Sequence, residues 1–424
     1  MTESQRLMTE GSIGKKMVLF AMPIFLGNLF QQMYNTADSL IVGNFLGSNA
    51  LAAVSSSGNL IFLLIGFING LSVGAGVVIS RYFGARDHEK LQIALHTTVA
   101  MGLAAGVILT VVGFFMAPHI LVWMGTPDIV MPESTAYFRV YFLGSLGSVM
   151  YNACVGILQA VGDSRHPLYY LVISSVLNIV LDIIFIAVFH TGVSGAALAT
   201  AISQFVSAIL CLTQLLRTKE EYRVDPKKIR FDWKMLKKII RFGLPSGIQN
   251  SIIAFANVVV QSNINAFGEL AMAGCGAFSK IEGFAFLPIG SFNMALTTFV
   301  GQNLGAKQYE RAQKGARFGI GCAVFLAETI GVIIFITSPW LIRAFDANPE
   351  VIAIGVDRAR IASLFFCVLA YSHTNAAILR GAGKAMVPMI VMMTFWCVVR
   401  VLLLTILIPL THNILVVHWV YPIT

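Results

Sequence analysis

The sequence predicts an all-α polytopic membrane protein of two six-helix bundles, related by a pseudo-two-fold axis along the membrane normal. Three observations predict it. The 424-residue chain is 57% hydrophobic and 12% charged, with a mean hydropathy of +0.79. That leaves too little polar surface to cover a folded chain in water, so lipid is its solvent. Apolar stretches able to cross a bilayer recur along the whole chain. The second half also repeats the first: Gly84-Ala85-Arg86 returns as Gly305-Ala306-Lys307 (305 − 84 = 221), and the same offset carries Pro118 onto Pro339, Arg139 onto Arg360, Gly162 onto Gly383 and Pro167 onto Pro388. Upstream, a one-residue slip pairs Pro23 with Pro245, Asn28 with Asn250 and Asn35 with Asn257. A long repeat of this kind in a membrane chain points to a transporter with its substrate path between two homologous bundles.

The apolar segments run over about 14–44, 50–80, 91–117, 135–161, 167–190, 193–217, 237–267, 271–300, 315–338, 352–380 and 385–411, with another starting at 414. Six spans per half make the repeat parallel. The first half, 1–217, forms an N-terminal lobe; 218–236 forms a charged cytosolic linker holding a loop and an interfacial helix; 237–424 forms a C-terminal lobe. The sixth span, 193–217, should recur at 414–438, yet the sequence ends at Thr424, so the twelfth helix is expected to be incomplete. Of the 29 Lys and Arg residues, about 23 fall on one side, which the positive-inside rule makes the cytosol. Lys15, Lys16, Arg81, Arg86, Lys90, the run from Arg217 to Arg241 and Lys307 to Arg317 lie there. The opposite loops carry Asp128, Glu133, Asp346 and Glu350 beside a few arginines. The charge of +9 therefore reports topology rather than nucleic-acid binding. A multi-pass protein of a bacterial-type cell membrane, monomeric and with a cytosolic N-terminus, is expected. The first apolar segment carries no signal-peptide pattern. Six cysteines scattered through apolar segments argue against a disulfide frame or zinc site.

Along the first span, Asn28, Gln31, Asn35 and Asp38 stand three and four residues apart, on one helical face. The seventh span carries Asn250, Asn257, Gln261 and Asn265 without an acid. Facing stripes of this kind would line a hydrated cleft that is acidic on the N-terminal side, which places ion coupling in that bundle. In the second span, Gly66, Gly70 and Gly74 make the small-xxx-small pattern of close helix packing. Gly84 and Gly305 are expected to supply left-handed caps at helix ends. In the fifth span, Asn178 lies one turn from Asp182; counted inward from the outer helix ends, Asp38, Asp182 and Thr200 of the sixth span all reach depths of about 9–12 Å. A carboxylate at such depth costs several kcal/mol unless solvated, paired or protonated. Two carboxylates close together make a site that loads and releases a proton, and the same oxygens with Asn178 can hold Na⁺. Residue types alone leave both ions open. No other cofactor is expected.

The second half has its own intramembrane polar groups: Lys280, Glu282, Glu328, Arg400 and His373, the last matching Asn152 in the repeat. Lys280 and Glu282 are too close in sequence to share a helical face. Together with Gln31, Asn35, Asn152, Asn257 and Gln261, Lys280, Glu282, His373 and Arg400 are candidates for the substrate cleft, while the lone Glu328 reads as packing.

Pro23 with Asn28 and Asp38, the Gly84-Ala85-Arg86 loop, Gln159-Ala-Val-Gly-Asp-Ser-Arg-His-Pro167, Asn178 with Asp182, and Thr298-Phe-Val-Gly-Gln-Asn-Leu-Gly-Ala306 resemble the multidrug and toxic compound extrusion (MATE) transporters over essentially the whole chain. The resemblance implies twelve helices in two lobes, alternating access, and export of small organic, amphipathic or cationic molecules driven by inward H⁺ or Na⁺. In the DinF-like branch the functional acids sit in the first and fifth helices, which matches Asp38 and Asp182, with Asn178 and Thr200 as companions. The other bacterial branch relies on a Glu in the seventh helix, where this chain has Ile253 or its apolar neighbours. A flippase or exporter of a lipid-linked or anionic metabolite is the alternative: Lys280 and Arg400 favour it, and Asp38 and Asp182 weigh against it. An enzyme is not expected, because His-Glu-x-x-His does not occur.

Overall fold

The computed structural model describes the backbone of residues 7–46, 48–123 and 131–424, and their side chains except at 39, 43, 44 and 48–65. Asp128 lies outside the described residues. All the regular elements among them are helical. In the first repeat these are α1 (Ile13–Leu46), α2 (Ser48–Gly84), α3 (His88–Trp123), α4 (Met131–Leu143), α5 (Ser145–Ala160), α6 (Arg165–Asp182) and α7 (Val193–Arg217). The second repeat holds α8 (Trp233–Asn265), α9 (Glu269–Gly305), α10 (Tyr309–Arg343), α11 (Pro349–Ser363), α12 (Phe366–Gly381), α13 (Met386–Met392), α14 (Arg400–Thr411) and α15 (Leu415–Ile423). Eight helices among the described residues are long and apolar enough to cross a membrane, and nine if α4 and α5, bent by 45° at Gly144, count as one span.

The repeat is written into the backbone as well as the sequence. Arg86 and Lys307 both adopt positive φ, as do Gly162 and Gly383, and His190 and His412. At the first two pairs the bonding is the same four times over. Asp87 N–H donates to Tyr82 O and Gln308 N–H to Asn303 O; Asp163 N–H donates to Leu158 O and Lys384 N–H to Leu379 O. Each is the six-to-one bond of a Schellman cap. The expectation that Gly84 and Gly305 provide the left-handed residue is corrected here. Both are still helical, and the turn comes two residues later at Arg86 and Lys307.

The chain divides into two compact units whose borders fall inside helices. One unit holds Leu26–Gly247 and the residues up to Leu7; the other holds Met8–Phe25 and Ile248–Thr424. Each unit therefore contains the first part of a helix that continues in the other, and the borders differ from the expected cuts at 217 and 237. Pro23 of α1 and Pro245 of α8 sit two residues before the two borders, where each removes a helical hydrogen bond.

In the first unit, Val78, Leu95, Ile157 and Leu215 are fully buried in one cluster with Tyr222 and Val224 of the linker. The linker is not free: with a turn at Glu221 and Tyr222 and a short 3-10 turn at Pro226–Lys228, it is a strap bonded to α3. Gln92 Nε2 donates to Glu221 O (2.6 Å), and His96 Nε2 accepts from Asp225 N–H (3.0 Å) while Nδ1 meets Gln92 O (2.7 Å). In the second unit the residues just before α1 are held by the end of α9. Gln302 Oε1 accepts from Met8 N–H (2.8 Å), Asn303 Nδ2 donates to Met8 O (3.3 Å), and Arg311 reaches the same carbonyl. The Gly301–Gly305 stretch is thus a structural clasp. Glu328 serves the backbone too, accepting from Cys367 N–H (3.3 Å) beside the break between α11 and α12.

Candidate cation-binding site

The first unit brings Asp38, Asp182, Asn178 and Thr200 together. Asp38 comes from the second half of α1, and Asp182 is the last residue of α6 before a π-helical stretch, Ile183–Val188. Such wide turns concentrate at functional positions because they re-aim the side chains around them. The Asp38 and Asp182 carboxyls lie within hydrogen-bonding reach of each other. Asp182 is fully buried and Asn178 is 1% exposed. The hydrogen-bond network orients the Asn178 amide so that its nitrogen donates to Asp182 Oδ2 (3.2 Å) and its oxygen accepts from Thr200 N–H (3.2 Å). One oxygen of each acid, Oδ1 in both, is buried without a hydrogen-bond partner.

Three tyrosines complete the surroundings. Tyr34 and Tyr137 interact electrostatically with both carboxylates, and Tyr137 stacks on Tyr141 at 6.2 Å. The sequence reading missed them, although Tyr34 lies four residues before Asp38 on the same helical face and Tyr137 and Tyr141 share that spacing. A hydrogen bond between two carboxyl groups needs one proton between them. The arrangement can hold a proton, or, with both acids ionised, can offer carboxylate and amide oxygens to a small cation.

The remaining candidates divide by unit. Gln31 and Asn35 are exposed on α1, on the same stripe as Asp38. Asn152 donates back to Ser148 O (2.8 Å) within its own helix. In the second unit, Asn257 and Gln261 are exposed, with Gln261 Nε2 donating to Asn265 Oδ1 (2.8 Å). Lys280 is exposed as well, whereas Glu282, on another face of α9, interacts with Arg358 and Arg400. His373 lies between the rings of Phe286 (4.9 Å) and Trp396 (5.4 Å). Arg358, which the sequence reading did not single out among the outer-loop arginines, is 5% exposed.

Repeated spans and a buried acid pair held between two of them define a polytopic helical membrane protein of the two-repeat transporter class. The MatE family profile matches residues 23–184 and again residues 245–406, and the chain belongs to that family. It is 30% identical over 390 residues to the probable multidrug resistance protein YpnP of Bacillus subtilis (strain 168), the match covering 92% of this chain and 87% of the relative. It is 28% identical over 390 residues to the probable multidrug resistance protein NorM of Thermotoga maritima, covering 89% of this chain and 82% of that one. Among solved structures, a MATE in complex with MaL6 superimposes with a TM-score of 0.91 at 25% identity, covering 100% of this chain and 96% of that one.

Proposed function

We propose that this chain is a secondary antiporter that exports small organic, amphipathic or cationic molecules in exchange for protons, by alternating access. One observation carries the choice of ion: two acids, one of them fully buried, within hydrogen-bonding reach of each other. With one proton between them the pair is held together. With none, two like charges repel at close range in a medium of low dielectric constant, and α1 is driven from α6. Proton loading from outside and release inside thus switch the packing of a single unit. Each charge that crosses is worth ~2.3 kcal/mol per 100 mV before any pH gradient is counted. Export of drugs is supported by kinship with proteins named for multidrug resistance. The placement of Lys and Arg supports entry from the cytosol.

The test is ethidium efflux from proteoliposomes under an imposed H⁺ or Na⁺ gradient, comparing the natural protein with Asp38→Asn and Asp182→Asn. Efflux driven by the H⁺ gradient and lost in both variants is expected. Efflux driven by Na⁺ alone would replace the proton with Na⁺ at the same oxygens, and undiminished efflux in both variants would remove the pair from the mechanism.

A further inference from the structure

The second unit contains a buried cluster of opposite charge to the acid pair. Arg358 of α11 is 5% exposed and Arg400 of α14 is 2% exposed. Both guanidiniums stand over the ring of Tyr421, at 5.0 and 4.5 Å, and Arg400 also stands over Trp396 at 4.9 Å. Arg400 Nε donates to Thr424 Oγ1 (2.8 Å). Arg358 interacts with Cys275, whose sulfur lies 3.7 Å from His418 Nε2. Among the described residues, Glu282 is the one carboxylate that acts on either guanidinium. Even with Glu282 ionised, the cluster keeps a surplus positive charge away from water, which no hydroxyl or ring face neutralises. Arg358 Nη1 is buried with no hydrogen-bond acceptor, and Arg358 and Arg400 are close enough to repel each other.

The position of this cluster in the repeat is the second line of argument. The two family matches are displaced by 222 residues at both ends, 23 to 245 and 184 to 406. That offset makes Arg400 the counterpart of Asn178. The offset of 221 that carries Arg139 onto Arg360 makes Arg358 the counterpart of Tyr137. Asn178 and Tyr137 both belong to the acid-pair site.

We propose that the second unit holds an anion site at the repeat-equivalent place of the cation site, with Arg358 and Arg400 as its charges and Trp396 and Tyr421 as its walls. Its occupant carries a single negative charge: the carboxylate of an organic molecule or a halide ion. The organic form rests on the transport reading above and adds to its substrates amphipathic molecules that bear a carboxylate. Arg358 Nη1 supplies an open donor to such a group, planar guanidinium suits carboxylate geometry, and the aromatic walls suit an attached ring.

Binding is tested on the full chain in nanodiscs at constant ionic strength, with the doubly charged, strongly hydrated sulfate as the background anion, by titrating sodium benzoate or sodium chloride and following heat and thermal stability. Saturable benzoate binding is expected, displaced by chloride, weakened at least tenfold in Arg358→Gln and strengthened severalfold in Glu282→Gln, which removes the internal competitor. Chloride binding with benzoate silent, and the same responses to the two variants, supports the site in its halide form. No binding of either probe overturns it, as does binding that neither variant alters. If Arg358→Gln does not fold, Glu282→Gln decides alone, since only an anion site gains affinity from that change. None of these readings requires transport, so failure of efflux leaves the anion site standing, and failure of anion binding leaves the antiporter reading standing.

Discussion

Gly70 of α2 lies directly on Gly247 of α8, backbone against backbone, so that a methyl group on Gly70 would overlap the amide of its partner; Gly74 meets Gly243 in the same way one turn on. The small-residue stripe that the sequence offers as packing thus has a specific object, the first half of the helix that opens the second repeat. Close approach of this kind is what membrane helices use in place of hydrophobic attraction, since lipid is as apolar as the side chains.

Gly70→Ala and Gly74→Ala are expected to destabilise the protein by about 1–3 kcal/mol each, because the two backbones have to part to admit a methyl group. Gly76, on the same helix α2 but facing α5, has only a distant neighbour: its added Cβ would meet Gly156 O at 3.5 Å. Gly76→Ala is therefore the tolerated control. Thermal unfolding in detergent, followed by gel-filtration recovery, reads the difference.

Asn178→Ala is expected to weaken binding of the coupling ion or proton cycling by about 10–100-fold. It removes the donor on Asp182 Oδ2, and a hydrogen bond to a charged group contributes about 1.5–3 kcal/mol. Thr200→Ala should do less, because the Asn178 amide oxygen keeps the Thr200 backbone N–H (3.2 Å) when the longer hydroxyl contact (3.4 Å) is lost. Gradient-driven efflux at saturating substrate separates the two.

At Gly162 and Gly383 the chain takes positive φ, 86° and 72°, a conformation that penalises any Cβ by roughly 1–2 kcal/mol. Each Gly→Ala change should cost about that much in stability, equally in the two repeats, and the double change about the sum. Loss in one repeat alone would show that the matching turns are not equivalent. Chemical denaturation in mixed micelles is the measurement.

The strap from Thr218 to Asp232 should become accessible when its anchors on α3 are removed. Gln92→Ala together with His96→Ala deletes three of its hydrogen bonds, and trypsin is then expected to cut at Lys219, Lys227 or Lys228 several times faster than in the natural protein. Unchanged cleavage would mean that burial of Tyr222 and Val224, with the remaining contacts of Glu221 to His88 and of Asp232 to Thr97, holds the strap.

The helical architecture was legible because lipid imposes a simple rule on sequence: long apolar runs, cationic ends on one side, and, here, two copies of the pattern. Asp38, Asp182, Asn178 and Thr200 were legible for the same reason, since a polar group costs most where the sequence around it is most apolar. What sequence did not disclose is whatever depends on helix rotation and register between segments. Tyr137 looks like any aromatic in an apolar span until α4 is turned toward the acid pair. Arg358 looks like a loop cation until α11 carries it to Tyr421. The helix borders were displaced as well, because Arg86 and Lys307 take the left-handed step that glycine usually takes, and nothing in Gly-Ala-Arg announces that the turn comes last. The unit borders were hidden because a repeat boundary is a property of the gene, whereas a packing boundary depends on which side chains meet.

Because those two boundaries disagree, neither repeat made alone is a whole folding unit. A gene divided within the strap would yield two polypeptides, the first carrying Met8–Phe25, which belongs to the unit of the second, and the second carrying Trp233–Gly247, which belongs to the unit of the first. Each fragment would expose the seat of the missing helix half and be complete only in the company of the other. Two chains of a single repeat would meet the same demand by exchanging equivalent segments, as domain-swapped partners do. The full-length chain carries out that exchange within one molecule, with both segments always present in equal number.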